Sequence, residues 1–145
     1  MTLSDNKSVV QEFYDQWNRG DIDFDQLVRE AVTNHQPNTD PETGLQRFRQ
    51  AVAGVMGAVP DSNWTTLHLI ECDDMVICHN RWSGTYGGTV FRGVPTSAGN
   101  RFDVEHIHIY RMVGRQIAEH WVVRDDLGIL LQVGAITPRL PNISG

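Results

Sequence analysis

The sequence predicts an α+β domain, with three N-terminal helices packed on one face of a curved antiparallel sheet. Two observations carry that reading. Apolar residues recur at helical spacing as far as Pro60, and from Ser62 onward the period changes to two. Turn residues punctuate the second part at intervals that suit hairpins.

Val9, Val10, Phe13, Tyr14 and Trp17 share one face of a first helix, and Ser4 or Asp5 suits its N-cap. Arg19-Gly20-Asp21 ends that helix and opens a short second one, with Phe24, Leu27, Val28 and Ala31 on one side. Residues 34–43 hold Pro37 and Pro41 among polar residues and read as a loop. A third helix carries Leu45, Phe48, Val52, Val55, Met56 and Val59 and stops at Pro60. Its Gly54 and Gly57 weaken the helix or mark close packing against a sheet. Strands are expected near 63–71, 75–86, 88–92, 102–112 and 116–124. A last helix over 127–133 has Asp126 as its cap and Gly134 as its stop. The elements form one domain over 1–136, followed by a loose tail over 137–145. Helices on a curved sheet enclose a cone with one apolar hollow, the default ligand site.

The 145 residues are enough for one core, and the composition, 40% hydrophobic and 21% charged, is that of a globular chain. A formal charge of −6 opposes binding to nucleic acid or to an anionic membrane. Residues 1–6 do not resemble a secretory signal, and no apolar run approaches the roughly 20 residues of a membrane span. A cytoplasmic protein is expected, with Cys72 and Cys78 buried and reduced.

The last two long strands carry the chemistry. A three-residue turn at Val113-Gly114-Arg115 would set His108 opposite His120 and His106 opposite Val122. Alternation then puts His106, His108, Tyr110, Ala118, His120 and Val122 on one face, and Ile107, Ile109, Trp121 and Val123 on the other. Three histidines on one patch suit general acid–base catalysis, a three-histidine metal site, or hydrogen bonding within a polar core. Metal ranks last, because no carboxylate ligand stands beside them. Trp17, Trp64 and Trp82 serve the core or offer a wall to a flat substrate. Nucleotide fingerprints, a Walker loop and a nucleophile elbow are missing from the sequence.

The runs Gly93-Val94-Pro95-Thr96, Arg101-Phe102, His106-Ile107-His108-Ile109-Tyr110-Arg111 and Ile117-Ala118-Glu119-His120-Trp121 resemble the SnoaL-like polyketide cyclases. Asp125, Gly128, Leu130, Gln132 and Gly134 continue the resemblance, and Phe13, Trp17-Asn18, Asn34-His35 and Pro60-Asp61 precede it. It implies the cone-shaped α+β barrel shared with nuclear transport factor 2, ketosteroid isomerase and scytalone dehydratase. It also implies acid–base chemistry without cofactor or metal, in which a ring closes by intramolecular aldol attack. The family's pocket histidine matches His108 and a following acidic position matches Asp125, but its catalytic aspartate is replaced here by Val122. Valine cannot move a proton. Relatives that hydroxylate aromatic polyketides therefore fit better than cyclases.

The expected catalytic groups are His108, His120 and Asp125. Substrate contacts are expected from His35, placed at the pocket mouth, and from His106, Tyr14, Trp17, Met56, Trp64, Tyr110 and Val122. The expected substrate is an aromatic polyketide that is hydroxylated or, alternatively, cyclised, with a separate reductase as a further partner. A binding module without chemistry is the remaining reading. Ile107, Ile109, Trp121 and Val123 form an outward apolar patch that predicts a homodimer through the outer sheet face.

Overall fold

The computed structural model describes residues 5–139; Ser4 and the end of the tail, residues 140–145, lie outside the described residues. Helix α1 spans Asn6–Arg19. Asp5 caps it by accepting from the Ser8 amide at 2.7 Å, and Gly20 ends it at φ 78°. At that φ the Gly20 and Asp21 amides fold back onto the Trp17 and Gln16 carbonyls, 2.9 Å each. The predicted face, Val9 to Trp17, is buried.

The expected second helix is a strand, β1, Val28–His35. A turn precedes it in which Phe24 has φ 58° and its carbonyl accepts from the Leu27 and Val28 amides. A helix would have buried Ala31 and exposed Val32. Instead Ala31 is exposed and Val32 is fully buried, because β1 takes its backbone partners from the sheet. The loop expected over 34–43 therefore begins later, and it contains a short strand β2, Glu42–Thr43, paired to Thr33 and Asn34.

Helix α2 spans Leu45–Ala58 and buries Leu45, Phe48 and Val52. Strand β3 is Asn63–Cys72, β4 is Met75–Tyr86, β7 is Asn100–Val113 and β8 is Gln116–Arg124. Between β4 and β7 the two-residue strands β5, Val90–Phe91, and β6, Val94–Pro95, pair as a separate ribbon. Helix α3, Asp126–Gln132, closes the fold. Its cap is Asp125, not Asp126: the Asp125 side chain accepts from the Gly128 amide at 2.7 Å.

The main sheet runs β2-β1-β8-β7-β4-β3. The α+β class and the curved sheet with three helices stand as expected. Two details differ: only two helices precede the sheet's long strands, and the sheet is mixed, since β1 lies parallel to β8. Strands β4 and β7 bury every second residue along most of their length, so one sheet face makes the core. Cys78 is buried on that face, where desolvation pushes its thiol up to about 12, but Cys72 is exposed; both are free thiols.

Gly84 sits on the inner face of β4, and a Cβ there would come within 2.3 Å of Val59 Cγ1. The missing side chain is what lets the end of α2 touch the sheet. Gly54 and Gly57 have open space around a built Cβ, so neither marks close packing. Gly84→Ala should therefore cost about 1–3 kcal/mol, and Gly57→Ala should gain about 0.5–1 kcal/mol. Urea unfolding of both variants checks the pair; equal midpoints would refute the close approach.

Candidate active site

The site depends on how β7 and β8 pair. Gly114 and Arg115 both have positive φ, 57° and 61°, which makes the connection a two-residue type I′ turn. Val113 thus faces Gln116, one position from the expected register. A bulge follows, in which Arg111 faces Glu119 but Met112 faces Ile117, leaving Ala118 as the extra residue. The two one-residue offsets add. His108 consequently lies opposite Val122, and His106 opposite Arg124, with Tyr110 opposite His120. An offset of two keeps every side chain on its predicted face.

His108 and His120 meet on a diagonal, with ring centroids 5.1 Å apart and His108 Nδ1 2.9 Å from His120 Nε2. His120 Nδ1 lies 2.8 Å from Asn34 Oδ1, which also accepts from Gln36 Nε2 at 3.1 Å. These contacts set the tautomers. Asn34 offers an oxygen, so His120 carries its proton on Nδ1 and accepts on Nε2. His108 then donates from Nδ1, and its Nε2 is left as a bare lone pair. That atom is buried and has no hydrogen-bond partner among the described residues. The same holds for both ring nitrogens of His106 and for the indole nitrogens of Trp17 and Trp64.

These residues line one cavity of about 380 Å³, within the range of small-molecule sites. Phe48 and Val52 of α2 form one wall, and Trp64 and Trp82, stacked at 5.2 Å, stand in the sheet. Burial keeps the histidines neutral. Desolvation holds His106 down at about 4 and His120 at about 3, and it pushes His108 well below the usual imidazole range, with His120 adding to the effect. Beneath them Tyr14 and Tyr110 share a buried hydroxyl–hydroxyl hydrogen bond, and burial raises both phenols.

Trp17, Trp64, His106, His108, Tyr110, His120 and Val122 all line the cavity. Four other expected site residues lie elsewhere. Asp125 is exposed and occupied as the α3 cap. Tyr14 is buried behind Tyr110, and Met56 packs towards Gly20 rather than the hollow. His35 is on the outer sheet face, stacked on Trp121 at 4.7 Å and 3.0 Å from Glu119 Oε2. Because 34–35 is strand and not loop, Asn34 takes the inward position and His35 turns away. Sequence reading missed Asn34, Arg92 and Arg124 as cavity residues, and weighed Asp126, which also lines the cavity, only as a helix cap or a possible acid or base. Alternation from Val32 would have found Asn34. Among the described residues no group of three or more His, Cys, Asp or Glu is disposed to hold a metal ion.

No curated protein matches the chain by sequence. Among solved structures it is similar to TsrD from Streptomyces laurentii, 27% identical over 90% of this chain and 95% of that one, with a TM-score of 0.78. It shares the fold of IdmH from Streptomyces antibioticus, a candidate polyketide cyclase, at 22% identity, 89% and 98% coverage and TM-score 0.77. It also shares the fold of AclR from Streptomyces galilaeus, a candidate hydroxylase, at 19% identity, 94% and 100% coverage and TM-score 0.77. The SnoaL-like polyketide cyclase model matches residues 7–133, so the chain belongs to the SnoaL-like polyketide cyclase family.

Proposed function

We propose that the protein is a cofactor-free tailoring enzyme of aromatic polyketide antibiotic biosynthesis that hydroxylates a polycyclic phenol or quinone. One observation supports this reading most: the chain Asn34–His120–His108 ends on an unprotonated, unpartnered Nε2 inside an aromatic cavity. A base there takes the proton of a bound phenol. Asn34 and His120 act as positioning residues, because they fix which nitrogen of His108 is bare. The resulting electron-rich ring gives electrons to dioxygen. One oxygen atom forms the new C–O bond and the other leaves as water, a balance that needs two further electrons and two protons. The electrons come from a reduced substrate or from a separate reductase. A dry, apolar pocket protects the intermediates.

Val122 favours hydroxylation over ring closure. It lines the cavity at the position where resembling cyclases carry their aspartate, and the one carboxylate lining the cavity among the described residues, Asp126, is tied to two arginines. Aldol cyclisation is the second reading, favoured by the family match. Oxygen separates them: product formation from a reduced anthraquinone phenol should stop under anaerobic conditions, whereas ring closure would continue. His108→Asn should lower turnover by about 10²-fold with the fold intact by circular dichroism. Near wild-type turnover would remove His108 from the mechanism.

Neutral buried histidines also tie stability to pH. The unfolded chain takes up protons near pH 6.5, while the folded His106 and His120 resist until about 4 and about 3. Their contribution is complete above about pH 6.5 and is lost as the pH falls towards those values. The thermal midpoint should therefore drop between about pH 7 and pH 4.5, and less steeply in His120→Asn. A flat profile in the wild type would show that the imidazoles are charged in the fold.

We further propose that a cytoplasmic homodimer forms through the outer sheet face. Ile107 pairs with Val123 and Ile109 with Trp121 on that face, and Val123 is 68% exposed. Two apolar pairs in adjacent strands make a contiguous patch that a second copy would cover. Sedimentation should give a dimer, and Trp121→Glu should give monomers. A wild-type species of 16.4 kDa would refute the interface.

A further inference from the structure

The cavity is chemically lopsided. Its histidines are neutral, its walls are aromatic and aliphatic, and its charged lining residues are Arg92, Arg124 and Asp126. These three are in contact: Arg92 Nε lies 3.1 Å and Arg124 Nε 3.4 Å from the two Asp126 carboxylate oxygens. Two arginines thus converge on one lining carboxylate, with the exposed Asp125 beside it as the α3 cap.

The geometry of each group suits an anionic ligand. Arg124 has only 15% of its side chain exposed. Its Nη1 donates to Gln36 Oε1 at 2.5 Å, and its Nε finds no well-directed acceptor among the described residues. Arg92 is half exposed and stands at the rim, on the turn of the β5–β6 ribbon. There Arg92 and Gly93 have φ 49° and 79°, and the guanidinium lies 5.6 Å from the Phe91 ring centroid. The ribbon thus aims a cation at the cavity from above while β8 supplies one from the sheet. His106 is the independent pointer. It is directly opposite Arg124 in the β7–β8 register, 2% exposed, and neither ring nitrogen has a partner among the described residues. A neutral imidazole always carries one N–H, and this one has nothing to donate to.

We propose that Arg92, Arg124 and His106 form a carboxylate clamp at the cavity rim, and that the physiological substrate is an aromatic acid rather than its neutral ester. Two guanidinium groups supply charge-assisted donors and His106 supplies a third, neutral one. Asp126 holds both arginines in place, and the two guanidinium groups still have donors to spare for a ligand carboxylate. The ring system of the acid then extends between Phe48 and the Trp64–Trp82 stack towards His108. This assignment rests on the reading of the cavity as the substrate site, but not on the reaction carried out there.

Calorimetric titration with 2-naphthoate and with its uncharged methyl ester tests the clamp without turnover. The acid should bind at least about tenfold more tightly than the ester, with an advantage that shrinks as salt is added. Arg92→Gln should bring the two affinities close to parity by weakening the acid alone; its exposed position keeps folding out of the result. Arg124→Gln should do the same. His108→Asn should leave the preference for acid unchanged, so a failed hydroxylation mechanism and a failed clamp give different outcomes. Equal affinities in the wild type, equal weakening of acid and ester in the arginine variants, or no binding of either probe would each overturn the assignment.

Discussion

The β7–β8 hairpin is the constraint from which the site follows. Its two-residue turn needs positive φ at both positions, and Arg115 adopts it beside Gly114. A type I′ turn alone would pair residues whose numbers differ in parity from those of the final register. Were the strands regular beyond it, His120 would face solvent when His108 faced the core. The bulge at Ala118 restores the parity and puts Ile117 and Ala118 both inside. Turn and bulge together therefore decide that His106, His108 and His120 share a cavity.

Burying three imidazoles is costly unless they stay neutral and find partners. His120 is satisfied on both nitrogens, and His108 on one. The stacked sequence His108–His120–Tyr110, with ring separations near 5 Å, holds them against the sheet and fixes the direction of the remaining lone pair. Below, Tyr14, Tyr110, Asn80 and Cys78 fill the floor with short polar contacts that present no charge. Most of the unsatisfied atoms among the described residues belong to cavity side chains, those of Trp17, Trp64, His106, His108, Arg124 and Asp126, and only Thr66 and Asn80 lie outside the lining. Such clustering is the pattern expected of a site whose hydrogen bonds are completed by substrate.

Much of this was legible in the residues, and the failures have specific causes. The change from helical to alternating period located α1, α2 and the long strands, because each buries one continuous face. The histidine face was correct even though the turn was miscounted, since an offset of two preserves parity. Phe24 to Ala31 misled because a turn followed by a bulged strand buries Phe24, Leu27 and Val28 at helical spacing by coincidence. The same error hid Asn34 and sent His35 to the wrong face. Arg92 and Arg124 were invisible for another reason, and Asp126, weighed as a helix cap or a possible acid or base, was not linked to them. They converge from a ribbon, a strand end and a helix start, and no local periodicity reports that convergence.

The two ends of the cavity ask for different things from one ligand. At the floor a neutral base with a depressed proton affinity is weak in water, yet it faces a substrate that is equally desolvated. Removal of water raises the cost of any charge left uncompensated, so on the proposed mechanism a phenolate formed at His108 would need the imidazolium beside it. A full positive charge close to that point would acidify the phenol without any base and would compete for the anion. Asp126 stands between the two arginines and offsets part of their charge, yet the Arg124 field still reaches the inner histidines and adds to the lowering of His108 and His120. On the proposed reading, the charged groups that would hold a substituent and the lone pair that would react belong to different side chains lining one cavity, so that a single flat molecule could meet both.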